Sequence, residues 1–273
     1  MAALPLSPQV FAILSALIEE RSGLHYAPVD LQLFAEKVTP RLEDQGFDSF
    51  LDYYYFLRYD EGGVAEFTKL VETLVVNETY LFRELEQLKV AVTSLIEPWV
   101  RSGRRPRIWS AACASGEEPS TLAMLLAERG LLARCELIAS DISAPVLARA
   151  RQGKFSKRAL RALNAELAGK WLSMQGAEAQ LSPALLSAID FRQINLVDQA
   201  QVASVGTVDL ILCRNVLIYF RDEVIKTVIE RFAHMLVPGG ALLVSVSESL
   251  LRFGTSLSCE EHGGAFVYRR SAR

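Results

Sequence analysis

Cysteine is scarce in this 273-residue chain. The four residues Cys113, Cys135, Cys213 and Cys259 are widely scattered, with no C-x-x-C pair. That spacing offers no disulfide framework and no structural zinc site, and it suits a reducing cytoplasm. Histidine is scarcer still. His25, His234 and His262 lie near neither one another nor a cysteine in sequence, so no metal-ligating motif is legible. No apolar run approaches the ~20 residues that span a bilayer. The amino terminus MAALPLSPQV lacks the basic stretch of a signal peptide, and the first Lys or Arg is Arg21. A cytoplasmic protein without membrane insertion is expected. Positive charge is also in short supply: 29 Lys and Arg face 32 Asp and Glu, a net charge of −3. That balance speaks against a nucleic-acid binder, which normally carries a basic excess. There is no internal repeat and no low-complexity segment.

What is present is an ordinary globular balance, 51% hydrophobic and 22% charged residues, enough for one or two domains. Residues 7–76 read as a small all-helical domain. Val10, Ile13, Leu14, Leu17 and Ile18 recur at helical spacing, as do Leu31, Phe34 and Val38, then Phe50, Tyr53, Tyr54 and Leu57. Turn residues at Ser22-Gly23, Thr39-Pro40 and 60–63 separate them. Residues 77–106 read as a linker helix carrying the segment NETYLFR. From residue 107 the pattern becomes strand–helix alternation, with strands expected at 107–113, 135–141, 190–196, 208–213 and 241–246 and a late one at 264–269. Helices are expected at 121–129, 144–151 and 222–236. Such alternation implies a doubly wound, mostly parallel α/β sheet that binds ligands beyond the carboxyl ends of its strands. An insertion at about 152–189 interrupts the alternation. Its stretch 149–170 holds seven basic residues and one acid, which reads either as a docking face for an acidic partner or as a solvated helix.

The polar residues at the expected strand ends carry the chemistry. The turn 110–120 (SAACASGEEPS) has one glycine, Gly116, where a dinucleotide fingerprint has three. Its small residues would let a ligand approach the backbone. Its acids, Glu117 and Glu118, would repel a phosphate and welcome a ligand with a positive charge and an amine, as in S-adenosylmethionine. Asp141 stands where such sheets commonly hold a ribose diol, or else it caps the helix beginning near Ala144. Asn195 either caps or meets an adenine edge. Arg214, Asn215 and Tyr219 follow an almost wholly apolar strand. Asn77 is a good helix N-cap. A cap leaves Thr79 and Arg83 in NETYLFRE unexplained.

Taken in order, NETYLFRE, WSAACASGEEPSTLA, ASDIS, INL and ILCRNVLIYF resemble the CheR family of chemotaxis-receptor methyltransferases, over nearly the whole chain. The resemblance implies a Rossmann-like class I S-adenosylmethionine-dependent methyltransferase fold preceded by a small helical domain. It implies a protein-glutamate O-methyltransferase that forms γ-methyl esters on bacterial chemoreceptors and releases S-adenosylhomocysteine. Carried over motif by motif, Asn77, Thr79, Arg83, Glu117, Asp141, Asn195, Leu196, Asn215 and Val216 line the cofactor pocket, and Arg83 and Tyr219 face the methyl to be transferred. No metal is implied. The one departure is Leu81 where the family usually has Phe, an apolar exchange. The partner implied is the cytoplasmic helical region of membrane chemoreceptors, met transiently by a monomer, with Lys37, Arg41 and the basic 149–170 segment as candidate contacts. The short loop near 173–178 suggests docking independent of a receptor carboxyl-terminal pentapeptide. Two other readings stay open: a methyltransferase acting on RNA or a small molecule, and a non-catalytic sensor of S-adenosylmethionine.

Overall fold

The computed structural model describes residues 4–271. The chain forms two compact units. One ends at Val76 and takes in the later segment Tyr219–Val224; the other holds Asn77–Ile218 and the chain from Ile225 onward.

The first unit is helical: α1 Pro8–Ser22, α2 Leu31–Asp44, α3 Phe50–Tyr59 and α4 Gly62–Leu74. Ser7 starts α1 by accepting a bond from the Val10 N–H at 3.3 Å, and Gly23, at φ 79°, ends it in the left-handed region that glycine tolerates. Phe11, Leu14, Ile18, Phe34, Val38, Leu57 and Leu70 are buried together, as the helical spacing implies. The break expected at Thr39-Pro40 does not occur, because α2 runs through Pro40. Glu36, whose carbonyl loses its donor there, and Pro40 are both exposed, so solvent can serve the orphaned carbonyl. Lys37 and Arg41 point inward as well. Lys37 Nζ donates to the Leu74 carbonyl at 3.2 Å. Arg41 Nε donates at 2.9 Å to the buried carboxylate of Glu66, which also accepts from Tyr53 Oη at 2.8 Å. Both side chains therefore serve the helical unit rather than an open docking face.

In the second unit, α5 Leu85–Val90 passes through a π-helical stretch, Ala91–Ile96, into α6 Glu97–Arg101. Strands and helices then alternate: β1 Arg107–Ala111, α7 Glu117–Glu128, β2 Glu136–Asp141 and α8 Ala144–Ala150. Next come β3 Lys154–Phe155, α9 Ala165–Trp171, β4 Leu172–Gln175, β5 Glu178–Leu181, α10 Pro183–Leu186, β6 Ile189–Gln193, α11 Gln199–Ala203 and β7 Val208–Cys213. Last are α12 Asp222–Met235, which enters this unit at Ile225, β8 Leu236–Leu243, β9 Ser258–His262 and β10 Ala265–Arg269. Seven strands form one sheet in the order β6-β2-β1-β7-β8-β10-β9. The first five are parallel; β10 is antiparallel to β8 and β9 antiparallel to β10. This is the doubly wound, mostly parallel sheet expected. All six residues of β7 are buried, as in a strand covered on both faces. Trp109 of β1 is fully buried edge-on to Phe232 of α12, 5.3 Å between ring centres, and its indole N–H donates to Ser140 Oγ at 2.9 Å. The chain leaves β1 toward β2 and β6, then returns to β7 and β8. The strand order thus reverses between β1 and β7, where an open α/β sheet leaves its ligand crevice.

Several boundaries differ from expectation. The strand expected at 241–246 begins earlier, at Leu236, and its ladder with β7 shifts register between Val208 and Leu210. The third strand ends at Gln193, two residues before Asn195. Within the insertion, β3, β5 and β4 form a separate antiparallel sheet in that order, which short polar strands did not reveal.

Candidate active site

Backbone strain marks the site. Among the described residues, five non-glycine positions have positive φ: Phe82 (64°), Glu84 (49°), Ala112 (59°), Ala114 (47°) and Asn215 (61°). They fall in three segments only: NETYLFRE, the turn after β1 and the turn after β7. Each costs about 1–3 kcal/mol and persists only where neighbours over-determine it, which is characteristic of functional sites. NETYLFRE is accordingly not a helix start. Residues 77–80 are irregular, 81–84 are turns, and the helix begins at Leu85, so Asn77 caps nothing.

Two buried carboxylates flank the turn after β1. Asp141, at the end of β2, is 7% exposed. Its Oδ2 accepts the Ala114 N–H at 2.9 Å and its Oδ1 accepts the Ser143 N–H at 3.0 Å. Burial raises its pKa, opposed by the backbone N–H groups of Ser143, Ala114 and Ile142. Ser143, not Asp141, is the cap residue of α8, and its buried hydroxyl has no hydrogen-bond partner. Glu117 opens α7, and both its oxygens accept from Ser115 Oγ, at 2.9 and 2.8 Å. Burial raises its pKa too, against the Ser115 bond. Each Asp141 oxygen keeps a lone pair beyond its backbone bond. Gly116 (φ 89°) serves packing rather than ligand approach: a Cβ there would meet Ala150 Cβ at 3.0 Å.

The turn after β7 is tied down by Arg214, whose side chain is 2% exposed. It donates to Gln87 Oε1 at 2.7 Å, Glu118 Oε2 at 2.8 Å, the Arg83 carbonyl at 2.9 Å and Glu84 Oε2 at 3.1 Å. One guanidinium thus joins α5, the first turn of α7 and NETYLFRE. Glu84 also accepts from Ser245 Oγ at 2.9 Å. Burial pushes its carboxyl up, but Arg214, Ser245 and the Val246 N–H outweigh that and hold it below the ordinary range. Asn215 donates its amide to Ser245 Oγ at 2.7 Å. The Glu248 carboxylate accepts the N–H groups of Asn215, Leu217 and Ser245 at 2.8, 2.9 and 3.0 Å. Sequence reading assigned none of this to Arg214, Glu84, Glu118 or Glu248. Arg214 had a readable signal, since a cation directly after a nearly all-apolar, buried strand needs partners. Glu248 had none.

The remaining expected residues divide. Arg83 donates to the Glu78 carbonyl at 2.9 Å and lies 5.7 Å from the Tyr80 ring centre. Asn77, Thr79 and Val216 are half-buried. Asn195 accepts the Val197 N–H through Oδ1 at 3.2 Å. Leu196 is buried, and its carbonyl accepts from Arg231 Nη1 at 3.3 Å. Tyr219 follows Val216 by three residues and belongs to the first unit, where its carbonyl accepts the His25 N–H at 2.9 Å. The basic 149–170 segment is largely engaged internally. Arg158 and Arg161 both donate to Glu78, Lys170 donates to Glu128 at 2.6 Å, and Arg151 donates to the Phe191 carbonyl at 2.7 Å. The single solvated helix considered as one reading of this stretch is instead β3, a run of turns and α9.

Comparison with known proteins matches residues 77–262 to the family described as CheR methyltransferase, SAM binding domain. Chemotaxis protein methyltransferase 2 of Vibrio cholerae serotype O1 is 34% identical over 242 residues, covering 86% of this chain and 84% of that protein. Chemotaxis protein methyltransferase 1 of Pseudomonas aeruginosa is 30% identical over 269 residues, covering 95% of this chain and 97% of that protein. The probable biofilm formation methyltransferase WspC of the same species is 29% identical over 259 residues, covering 94% of this chain and 61% of that protein.

Proposed function

The chain belongs to the CheR methyltransferase family, and from that premise we propose that it forms γ-methyl esters on glutamate side chains of the cytoplasmic helical region of chemoreceptors. It is an S-adenosylmethionine-dependent methyltransferase. The observation that carries the reading is the pair of buried carboxylates, Glu117 and Asp141, beside strained backbone at the reversal point of the sheet. Two acids and no phosphate-binding glycine turn suit a cationic, amine-bearing nucleoside. Residues and group therefore fit.

When bound, S-adenosylmethionine supplies a methyl group activated by its sulfonium. In our reading Asp141 holds the ribose hydroxyls and Glu117 the amine of the methionyl end. Asn195 and Leu196 flank the adenine. Asn77, Thr79, Arg83, Asn215 and Val216 complete the pocket wall. A substrate glutamate is already ionised at neutral pH, its reference pKa being ~4.3, so the chain needs no general base. What it must supply is alignment, which is worth about 7–11 kcal/mol when good. Arg83 has the planar fork to orient a carboxylate, and Tyr219 is assigned a single hydrogen bond to the same group. An over-tight ion pair would quieten the nucleophile, so Arg83 orients rather than activates. Exclusion of water favours a reaction in which opposite charges are neutralised.

No helix among the described residues is long and apolar enough to cross a membrane. We propose that the enzyme works in the cytoplasm and meets receptors transiently as a monomer. The test is transfer of labelled methyl from S-adenosylmethionine to membranes bearing the cognate receptors. Base-labile label on receptor protein is expected. Label appearing only on RNA or a small molecule, or none at all, would refute the assignment.

A further inference from the structure

The loop that presents Arg83 is held partly by the insertion, a segment no step of the reaction uses. Phe82 and Glu84 both occupy the left-handed region, and four backbone or side-chain anchors keep them there. The Leu81 N–H donates to the Ala159 carbonyl at 2.9 Å, and the Phe82 N–H donates to Thr121 Oγ1 at 3.1 Å. The Arg83 carbonyl and the Glu84 carboxylate are gripped by Arg214. The first anchor comes from the turns between β3 and α9. Side chains from the same turns add a second grip. The Glu78 carboxylate takes Arg158 on one oxygen and Arg161, at 2.7 Å, on the other. The Arg161 guanidinium lies 3.9 Å from the centre of the Tyr80 ring, the ring that the Arg83 guanidinium also approaches. Arg83 itself donates to the Glu78 carbonyl. The Tyr80 ring beside the Arg83 guanidinium and the side chain of Glu78, whose carbonyl Arg83 bonds, are thus both held by arginines of the insertion.

We propose that Glu78, Arg158 and Arg161 are positioning residues for Arg83, and that the insertion carrying the three-stranded sheet is part of the active-site scaffold. The proposal rests on the reading of Arg83 given above. Side-chain exposures of 75% for Arg158, 37% for Arg161 and 40% for Glu78 leave these pairs little weight in stability, because solvent screens them. Their value is geometric. A guanidinium stacked on a ring and forked onto a carboxylate fixes both partners at defined angles. Loss of that geometry should cost turnover more than folding.

The full chain carrying Glu78→Gln, and separately Arg158→Ala with Arg161→Ala, tests this. Amide exchange at Leu81 to Glu84 should quicken several-fold as the loop opens locally. Turnover on receptor membranes should fall about tenfold, in keeping with a small displacement of an aligning group. The KM for S-adenosylmethionine should rise by less than turnover falls, since Arg83 is one of several residues in the cofactor wall and its aligning role is what a small displacement costs most. The melting temperature should hold within about 2 °C. Unchanged exchange at those amides in both variants would overturn the proposal, as would faster exchange with full turnover, or a loss of turnover matched by lost cofactor affinity. A wild-type enzyme that methylates no receptor would instead refute the substrate assignment, while the exchange measurement still decides the clamp.

Discussion

At the scale of single residues, the proposed reading gives Asp141 and Glu117 the cofactor contacts, and their environment makes their behaviour predictable. Asp141→Asn keeps the size of the side chain and removes its charge. Affinity for S-adenosylhomocysteine should fall by about 1.5–3 kcal/mol, the worth of a hydrogen bond to a charged group. Calorimetry showing wild-type affinity would remove Asp141 from the site. Both carboxyls have pKa values raised by burial, so both protonate at higher pH than exposed acids. Cofactor affinity should therefore begin to fall, on acidification, above the ordinary carboxylate range. Affinity that holds until exposed acids titrate would argue against ionised partners. For stability the sign is opposite. A carboxyl raised in the folded state binds its proton more readily there, so these two groups stabilise the fold as pH falls through the window between unfolded and folded values. Glu84, held low by Arg214, behaves conversely. Its contribution is present above its unfolded pKa and is lost as pH falls through its folded one.

At the scale of elements, three segments with no regular structure do what helices and strands cannot: they turn polar groups toward one place. The element that joins them is a side chain. Arg214 spans α5, α7 and NETYLFRE from an almost fully buried position. Arg214→Met would keep much of the volume and leave the partly buried Glu84 and Glu118 without their cation. Breaking a buried pair in this way costs about 3–5 kcal/mol. A chemical denaturation midpoint close to wild type would mean that the two acids find other partners. NETYLFRE itself could not be read as irregular from sequence, because Asn77 has the composition of a cap. What keeps residues 77–84 out of a helix is long-range: the Leu81 and Phe82 N–H groups, which a helix would claim, are committed to Ala159 and Thr121.

At the scale of the molecule, the net charge of −3 leaves basic residues few enough that their placement matters. Arg41, Arg158, Arg161 and Arg214 are all committed to internal acids. Recruitment of receptors through a large basic face is therefore not favoured, and methyl transfer should depend only weakly on ionic strength. A steep salt dependence of receptor methylation would restore that face. S-adenosylhomocysteine at a hundred times its Kd should stabilise the enzyme by about 2.7 kcal/mol, raising the melting temperature by roughly 5–10 °C. An unmoved transition would mean that no such site is formed.

The order of strands and helices in the sheet was legible in the chain itself. Val208–Cys213 is apolar but for Asp209 because a central parallel strand is covered twice, and α12 shows its buried stripe at helical spacing. The acids at 117 and 141 were legible for the same reason, since strand ends are predictable once strands are. Only the tertiary structure decided what local pattern cannot express. It carried α2 through Pro40 on an exposed face. It closed short polar strands into the sheet β3-β5-β4, whose pairing is non-local. It turned Lys37 and Arg41 inward, paired Arg158 and Arg161 with Glu78, and gave Arg214 and Glu248 their roles. A side chain's partners are set by which segments the fold brings together, and a hydrogen bond between residues 131 apart in sequence, such as Arg214 to Arg83, leaves no periodicity to read.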